Sequence, residues 1–256
     1  MTKYNSEKHL ISIISPSYNS AEFIEETINS ISAQTYQNWE LIIVDDCSKD
    51  DTVSILKKIS EIDNRIKYFT NTTNQGAAIS RNIGLKNARG RFIAFLDSDD
   101  LWYPKKLEIQ INFMLSNSYP ISFTSYELID EKGLQLGKII QTVERIDYQG
   151  YMKNTIIGMS TSMIDTHIVG KDFRFTNIRT RQDTYLWITL LKKGFNAYGI
   201  NQILAKYRVR SNSISANKFK AAKRVWYLYY NLEKLGMVKS TYYFSFYVYN
   251  AFKKRI

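Results

Sequence analysis

Along the first hundred residues, short apolar runs alternate with segments whose apolar residues recur every three or four positions. Leu10-Ile11-Ser12-Ile13-Ile14 reads as a buried strand ending in the turn-like Ser15-Pro16-Ser17-Tyr18-Asn19. Asn19 with Glu22 three residues on has the form of a capping box, and Phe23, Ile24, Thr27, Ile28 and Ile31 keep helical spacing. Leu41-Ile42-Ile43-Val44 predicts a second strand that stops at Asp45-Asp46, followed by a helix from about Asp51 to Ser60. A third strand at Ile66 to Phe69, a loop from Asn71 to Gly76 and a helix near Ala77 to Ala88 come next. The strand Phe92-Ile93-Ala94-Phe95-Leu96 then runs into Asp97-Ser98-Asp99-Asp100, and Pro104 opens a helix bearing Leu107, Ile111, Met114 and Leu115.

Strands alternating with helices predict an α/β protein with a Rossmann-like, mostly parallel central sheet and helices on both faces. Open sheets of this kind bind ligands outside the carboxyl ends of their strands. Three such ends carry Ser17-Tyr18-Asn19, Asp45-Asp46 and Asp97-Ser98-Asp99. From Ile121 to Ile168 the pattern weakens, with short strands or loops expected around Gly133, Gly137 and Gly158. A helix is predicted at Asp183 to Lys193, with Leu186, Trp187, Leu190 and Leu191 on its apolar side.

Composition narrows the chemistry. The single cysteine, Cys47, excludes an internal disulfide framework and a Cys-rich zinc site, and with only His9 and His167 a His-based metal centre is not expected. Met1 to Lys8 lacks the pattern of a signal peptide, and no stretch reaches the roughly 18 apolar residues that span a bilayer. The expectation is a cytoplasmic protein. The formal net charge of +11 is concentrated near the C-terminus, where Lys218, Lys220, Lys223, Arg224, Lys234, Lys239, Lys253, Lys254 and Arg255 face one acid, Glu233. Such a region attracts nucleic acid, anionic lipid or a phosphorylated substrate, and charge alone does not choose among them.

In an extended segment Asp97 and Asp99 project to the same side, and two adjacent carboxylates repel unless a cation lies by them. Hard divalent ions, Mn²⁺ or Mg²⁺, take oxygen ligands and bridge carboxylates to diphosphate oxygens. A lone Asp-x-Asp triplet more often caps a helix and solvates a loop; an apolar strand that delivers it to the ligand edge of a sheet favours the metal.

Ile11 to Asn19, Glu40 to Asp50, Asn74-Gln75-Gly76-Ala77-Ala78, Arg81-Asn82 and Phe95 to Asp100 together resemble, in order and spacing, the blocks of family 2 glycosyltransferases. The resemblance implies the GT-A fold over residues 1–215, with a nucleotide-sugar-binding half at 1–100, an acceptor-binding half at 101–215, and a C-terminal helical appendage at 216–256. It implies that Pro16, Tyr18, Asp45, Asp46, Gly76, Arg81, Asp97 and Ser98 contact the nucleotide-sugar, with Asp97 and Asp99 at the metal. Arg181-Gln182-Asp183-Thr184-Tyr185-Leu186-Trp187 resembles the family's base motif, with Gln182 where glutamate is commoner. Asp183 would then take the acceptor proton in an inverting displacement, a role for a carboxylate within hydrogen-bond reach; a helix N-cap is the plain alternative. Lys206 to Ser215 resembles the late segment in which a histidine often stands where this chain has Arg210; a guanidinium binds phosphate and cannot ligate a cation. Gln182, Trp187, Arg208 and Arg210 are thus expected at the acceptor or diphosphate.

The resemblance points to transfer from a nucleotide-sugar, a UDP-sugar being favoured, to a saccharide acceptor in cell-surface polysaccharide or lipopolysaccharide synthesis. The Gln-x-x-Arg-Trp signature of processive synthases is absent, which favours single addition. Two other readings stand beside it. A sugar nucleotidyltransferase would show a glycine-rich basic loop where Ser15 to Asn19 stands, and a basic nucleic-acid-binding module would carry a recognised motif, which this chain lacks. In the C-terminal segment Phe219, Trp226 and Tyr230 share a helix face, and Tyr242 to Tyr249 is rich in aromatics. Attachment to an anionic membrane surface, which would suit a lipid-linked acceptor, and simple cover for the catalytic domain both fit this pattern.

Overall fold

The computed structural model describes residues 8–210 and 218–253. Ser211 to Ser215 of the late segment, Lys254 and Arg255, and the side chain of Phe219 lie outside the described residues. The first half is a run of βα units: β1 (Ile11–Ser17), α1 (Ile24–Ser32), β2 (Trp39–Asp45), α2 (Thr52–Ile62), β3 (Ile66–Thr70), α3 (Ala77–Asn87) and β4 (Phe92–Phe95). After the short β5 (Leu101–Trp102) come α4 (Lys106–Asn117), β6 (Ile121–Ile129), β7 (Gln135–Ile140), β8 (Arg145–Ile146) and α5 (Tyr148–Lys153). A 3-10 turn at Met159–Thr161 leads to β9 (Met163–Asp165), α6 (Thr166–Val169), α7 (Gln182–Lys192) and β10 (Ala197–Arg208). The described chain closes with α8 (Lys218–Tyr227), its π-helical continuation Leu228–Leu232, and α9 (Gly236–Lys253).

The sheet runs in the order β3-β2-β1-β4-β9-β6-β10-β5. It is parallel from β3 through β4, as the alternation predicted. Beyond that β9 runs antiparallel to both β4 and β6, β10 is parallel to β6, and β5, β7 and β8 add antiparallel edges. Side chains alternate across the sheet. Ile11, Ile13, Leu41, Ile43, Phe92 and Ala94 pack under α1 and α4, whereas Ile14, Ile93 and Phe95 pack under α5 and α7.

Three expectations need correction. Ser15-Pro16-Ser17 is not a turn but the end of β1, paired with Ile43, Val44 and Asp45. Ile11 and Ser17 bond towards β2, so the intervening parity, Pro16 included, faces β4, which has already ended; the missing proline N–H costs no ladder bond. The capping box at Asn19 does not form. Asn19 adopts φ 47°, its Oδ1 accepts from Lys49 N–H at 2.8 Å, and α1 starts later, at Ile24. Ties to the loop after β2 outcompete the local cap. The weak region after Ile121 contains the nine-residue strand β6, whose buried Ser122, Thr124 and Ser125 erase the apolar signature of a central strand.

The stretch beginning at α8 packs on the rest of the molecule: Val225, Leu228 and Tyr229 are buried in the same core as Leu186 and Trp187, and the Tyr229 hydroxyl donates to Met152 O at 2.7 Å. Its outer side exposes Met237, Val238, Tyr242 and Tyr249. Among the described residues no helix is long and apolar enough to cross a membrane.

Helix α3 lies unusually close to β1. A Cβ at Gly84 would stand 2.5 Å from Ile14 Cγ2, a branched core side chain with no room to yield. Gly84→Ala is expected to cost about 1–3 kcal/mol by overpacking. Urea unfolding should show the loss, and combining it with Ile14→Ala should cost less than the sum of the two single changes, because both act on one contact.

Candidate active site

An open cleft of about 870 Å³ lies outside the carboxyl ends of β1, β2 and β4 and is completed by the segment before α7 and by the end of β10. Its lining includes Pro16, Tyr18, Asp46, Arg81, Asp97, Ser98 and Asp99, and further along Gln182, Asp183, Arg208 and Arg210. These residues come from both halves of the chain. Asp45, Gly76 and Trp187, also expected at the site, are not in its lining.

Each exception has a physical reason. Asp45 is fully buried and its carboxylate accepts from the Ser48 N–H, at 2.9 Å, and from the Ser48 hydroxyl, so it shapes the loop after β2. Gly76 sits at φ 90°, a conformation glycine adopts without penalty, and its N–H donates to Asp46 Oδ2 at 2.6 Å. It fixes Asp46 and the start of α3. Trp187 is fully buried on the apolar stripe of α7, edge-on to Phe95 at 6.5 Å between ring centres, and does not reach the cleft.

Asp46 accepts from Asn71 Nδ2 at 2.7 Å and Gln75 N–H at 2.9 Å as well as from Gly76. Three of the roughly four acceptor positions of a carboxylate are therefore engaged. Helix α3, which this loop launches, carries Arg81, 4% exposed. Its Nη2 pairs with Asp97 Oδ1 at 2.5 Å, while Nε and Nη1, both buried, make no hydrogen bond among the described residues.

The acidic loop after β4 is the electrostatic centre of the cleft. Asp100 is buried; its Oδ1 accepts from the Arg208 N–H at 2.9 Å and its Oδ2 from the Ser160 hydroxyl at 2.5 Å. Burial first, then the Asp99 and Asp97 charges, push its carboxyl well above the usual range. Asp99 is pushed up too, by burial and then by Asp97, with Arg210 Nη1 opposing from 3.5 Å. Thr27 on α1 donates to the carbonyls of Ser98 and Asp100 at 3.1 and 3.0 Å. Ser160 also accepts the Asp97 N–H, at 3.1 Å. Neither Thr27 nor Ser160 stood out in the sequence, because one reads as a helix-face residue and the other lies in the weakly patterned stretch.

Arg208, expected at the acceptor or diphosphate, has its guanidinium committed elsewhere. It is 3% exposed and donates to Asp99 O at 2.8 Å, Glu131 O at 2.9 Å and Glu26 Oε2 at 2.6 Å. That arginine clamps the acidic loop to α1 and to the turn after β6. Arg210 is more open, its guanidinium 5.0 Å from the centre of the Phe23 ring. Asp183 stands in the first turn of α7 behind Arg181, so it is not the helix N-cap; Thr184 Oγ1 is 3.5 Å from its Oδ1. Beside it Gln182 Oε1 is buried and accepts no hydrogen bond among the described residues.

The donor set suits a hard divalent ion shared with a ligand. Asp97 and Asp99 offer carboxylate oxygens, and among the described residues no group of three His, Cys, Asp or Glu side chains could hold a metal alone. A cation there would need further oxygens from a diphosphate and water, the mode Mg²⁺ favours.

A family model described as Glycosyl transferase family 2 matches residues 12–226. The chain is 49% identical over 249 residues to the glycosyltransferase TuaG of Bacillus subtilis, named for teichuronic acid biosynthesis, covering 97% of this chain and 98% of that one. It is 42% identical over 221 residues, 86% of this chain and 85% of the other, to WfgD of Escherichia coli, a UDP-Glc:α-D-GlcNAc-diphosphoundecaprenol β-1,3-glucosyltransferase. Two solved structures share the fold. TarS 1-349 of S. aureus with UDP-GlcNAc superposes with a TM-score of 0.69 at 20% identity, over 86% of this chain and 66% of that one. The mannosyltransferase PcManGT of Pyrobaculum calidifontis with GDP-Man and Mn²⁺ gives 0.67 at 17% identity, over 89% and 65%.

A carboxyl whose pKa is higher in the folded than in the unfolded chain binds more protons when folded. Its ionisation therefore costs stability, a cost absent below the ordinary carboxylate range and complete above the raised pKa. Asp99→Asn should accordingly raise the melting temperature of the metal-free protein at pH 8, by about 2–4 °C for each kcal/mol relieved. Scanning calorimetry should show the gain shrinking towards about pH 4. A loss at pH 8 would mean that the Arg210 pair outweighs burial and repulsion.

Proposed function

Because the chain belongs to glycosyl transferase family 2 and has that family's GT-A fold, we propose that it moves a sugar from a UDP-sugar to the saccharide end of a lipid-linked acceptor in cell-surface polysaccharide synthesis. The observation that carries this reading is the single cleft that joins Asp97 and Asp99 at the ends of the parallel strands to Asp183 at the start of α7. The donors named for the relative WfgD and for TarS, both UDP-sugars, support UDP as the carrier.

In this reading Pro16, Tyr18 and Asp46 line the nucleoside end, where Asp46 retains one acceptor position for a base N–H. Arg81 pairs with Asp97 and holds its carboxylate in place. Asp97 and Asp99 would hold a Mn²⁺ or Mg²⁺ ion, which when bound offsets charge on the departing nucleoside diphosphate. Arg210, beside Asp99, is placed to follow that charge as a phosphate-binding guanidinium. At the other end Gln182 Oε1 accepts a hydrogen bond from the acceptor and orients it. Asp183 takes the proton of the attacking hydroxyl as its oxygen bonds to the anomeric carbon and the bond from that carbon to the diphosphate oxygen breaks. Attack from the face opposite the leaving group inverts the anomeric centre.

Calorimetric titration with UDP, GDP and dTDP, each with Mn²⁺ and with chelator, tests the donor end: UDP should bind in a metal-dependent way and the others more weakly. Asp183→Asn should lower transfer by about 10²–10⁴-fold while UDP affinity stays unchanged. Absence of any nucleotide binding would end the transferase reading of this cleft.

Peripheral attachment to an anionic membrane through the outer side of α9 accompanies this proposal, supported by exposed Met237, Val238, Tyr242 and Tyr249 beside Lys234 and Lys239. Sedimentation with anionic vesicles should fall for Val238→Glu; equal sedimentation of both proteins would remove this face from consideration.

A further inference from the structure

The cleft does not end at Asp183. Past Thr180 and Arg181 it opens into a second hollow of about 450 Å³, between the segment preceding α7 and α8 with its π-helical continuation. Its apolar wall is made by Ile178, Tyr227, Leu228 and Leu232. Its charged lining is Arg179, Arg181, Lys223 and Arg224, with no acid among the lining residues. Arg179, Thr180, Arg181 and Arg224 border both hollows, so cations stand where the two meet.

Electrostatic character thus reverses along one continuous groove. The donor end carries Asp46, Asp97 and Asp99, and Asp183 stands near the middle. The far end offers only positive side chains above an apolar floor. Cations alone would suit any anion, and an apolar wall alone any hydrophobic group; side by side they select a molecule that carries a phosphate and a hydrocarbon chain in sequence. The Arg181 guanidinium is positioned by the Tyr247 hydroxyl on α9, 3.3 Å from Nη2, and has four further N–H donors by the chemistry of the group. Arg181 precedes Asp183 by two residues, a backbone span of at most about 7 Å. Asp183, Arg179, Arg181 and Arg224 line the same cleft, so a sugar ring set against Asp183 would have its own anomeric phosphate within reach of these cations.

We propose that this second hollow binds the diphosphate and the first isoprenoid units of the acceptor lipid, with Arg179, Arg181, Lys223 and Arg224 on the diphosphate and Tyr227, Leu228 and Leu232 along the chain. The inference rests on the transferase reading only in taking Asp183 as the point where the acceptor sugar sits. The hollow is the subsite that distinguishes a lipid diphosphate sugar from a free one, so acceptor choice is made by α8 and by the segment before α7, apart from the donor machinery.

The test is calorimetry on the full chain with Mn²⁺ and saturating UDP, which occupies the donor end, using farnesyl diphosphate below its micellar concentration, inorganic diphosphate and farnesol. Farnesyl diphosphate should bind, and the other two should bind at least about tenfold more weakly, since each lacks one half of the recognised structure. Arg179 and Lys223 are exposed, so the double change Arg179→Glu with Lys223→Glu leaves the core untouched. It should weaken farnesyl diphosphate by about tenfold or more with UDP affinity unchanged. No binding in the presence of UDP, equal binding of inorganic diphosphate, or indifference to the double change would each overturn the proposal. Should UDP fail to bind while farnesyl diphosphate still responds to the double change, the donor reading falls and the lipid subsite stands.

Discussion

Three carboxylates on four consecutive residues, Asp97, Asp99 and Asp100, have to be accommodated at the end of one buried strand, and much of the molecule is arranged around that demand. Asp100 is the member removed from solvent, and it is tolerated because the Arg208 N–H and the Ser160 hydroxyl satisfy it. Asp97 is balanced by Arg81 and Asp99 by Arg210. Four separate elements, α1 through Thr27, α3 through Arg81, the 3-10 turn through Ser160 and β10 through Arg208, meet at this loop. Their relative positions follow from a concentration of like charge that none of them could neutralise alone.

The same demand separates positioning residues from those that face the cleft. Arg208 lines the cleft yet spends its guanidinium on Glu26, Glu131 and the Asp99 carbonyl, so it holds the loop in register with α1. Asp45 and Gly76 work in the same way one layer back, the first on the Ser48 turn and the second on Asp46. In the proposed reading a smaller set is left for ligands: Pro16, Tyr18, Asp46, Asp97, Asp99 and Arg210 at one end of the cleft, Gln182 and Asp183 at the other. Rigid support under a short list of exposed groups is what a transfer reaction between two bound sugars requires.

On the proposed reading, the groove divides two recognition tasks. Acids at the strand ends favour a ligand that arrives with a cation, whereas the cations beyond Arg181 favour one that arrives with its own negative charge. Opposite fields at the two ends discourage each ligand from entering the wrong half. The helices that follow β10 contribute to this division from within the main core, through Val225, Leu228 and Tyr229, so the C-terminal stretch shapes the groove as well as covering the sheet.

The sequence by itself determined the parts governed by local pattern. Apolar runs ending in Asp45-Asp46 and Asp97-Ser98-Asp99 set strands β2 and β4, the spacing in Ala77 to Ala88 set α3, and the family blocks named residues that line both ends of the cleft. Period and order are local properties, legible before any contact is known. Tertiary structure alone decided which of those residues face the cleft. Trp187 is turned into the core by the stripe it shares with Leu186, Leu190 and Leu191, Arg208 is claimed by partners far away in the chain, and Asn19 abandons its cap for the Lys49 N–H. It also assembled the hollow beside Arg179 and Arg181 from helices whose composition alone fitted a membrane face or a core cover equally well. The direction of a side chain depends on what competes for it across the sheet, and that competition exists only once distant segments have met.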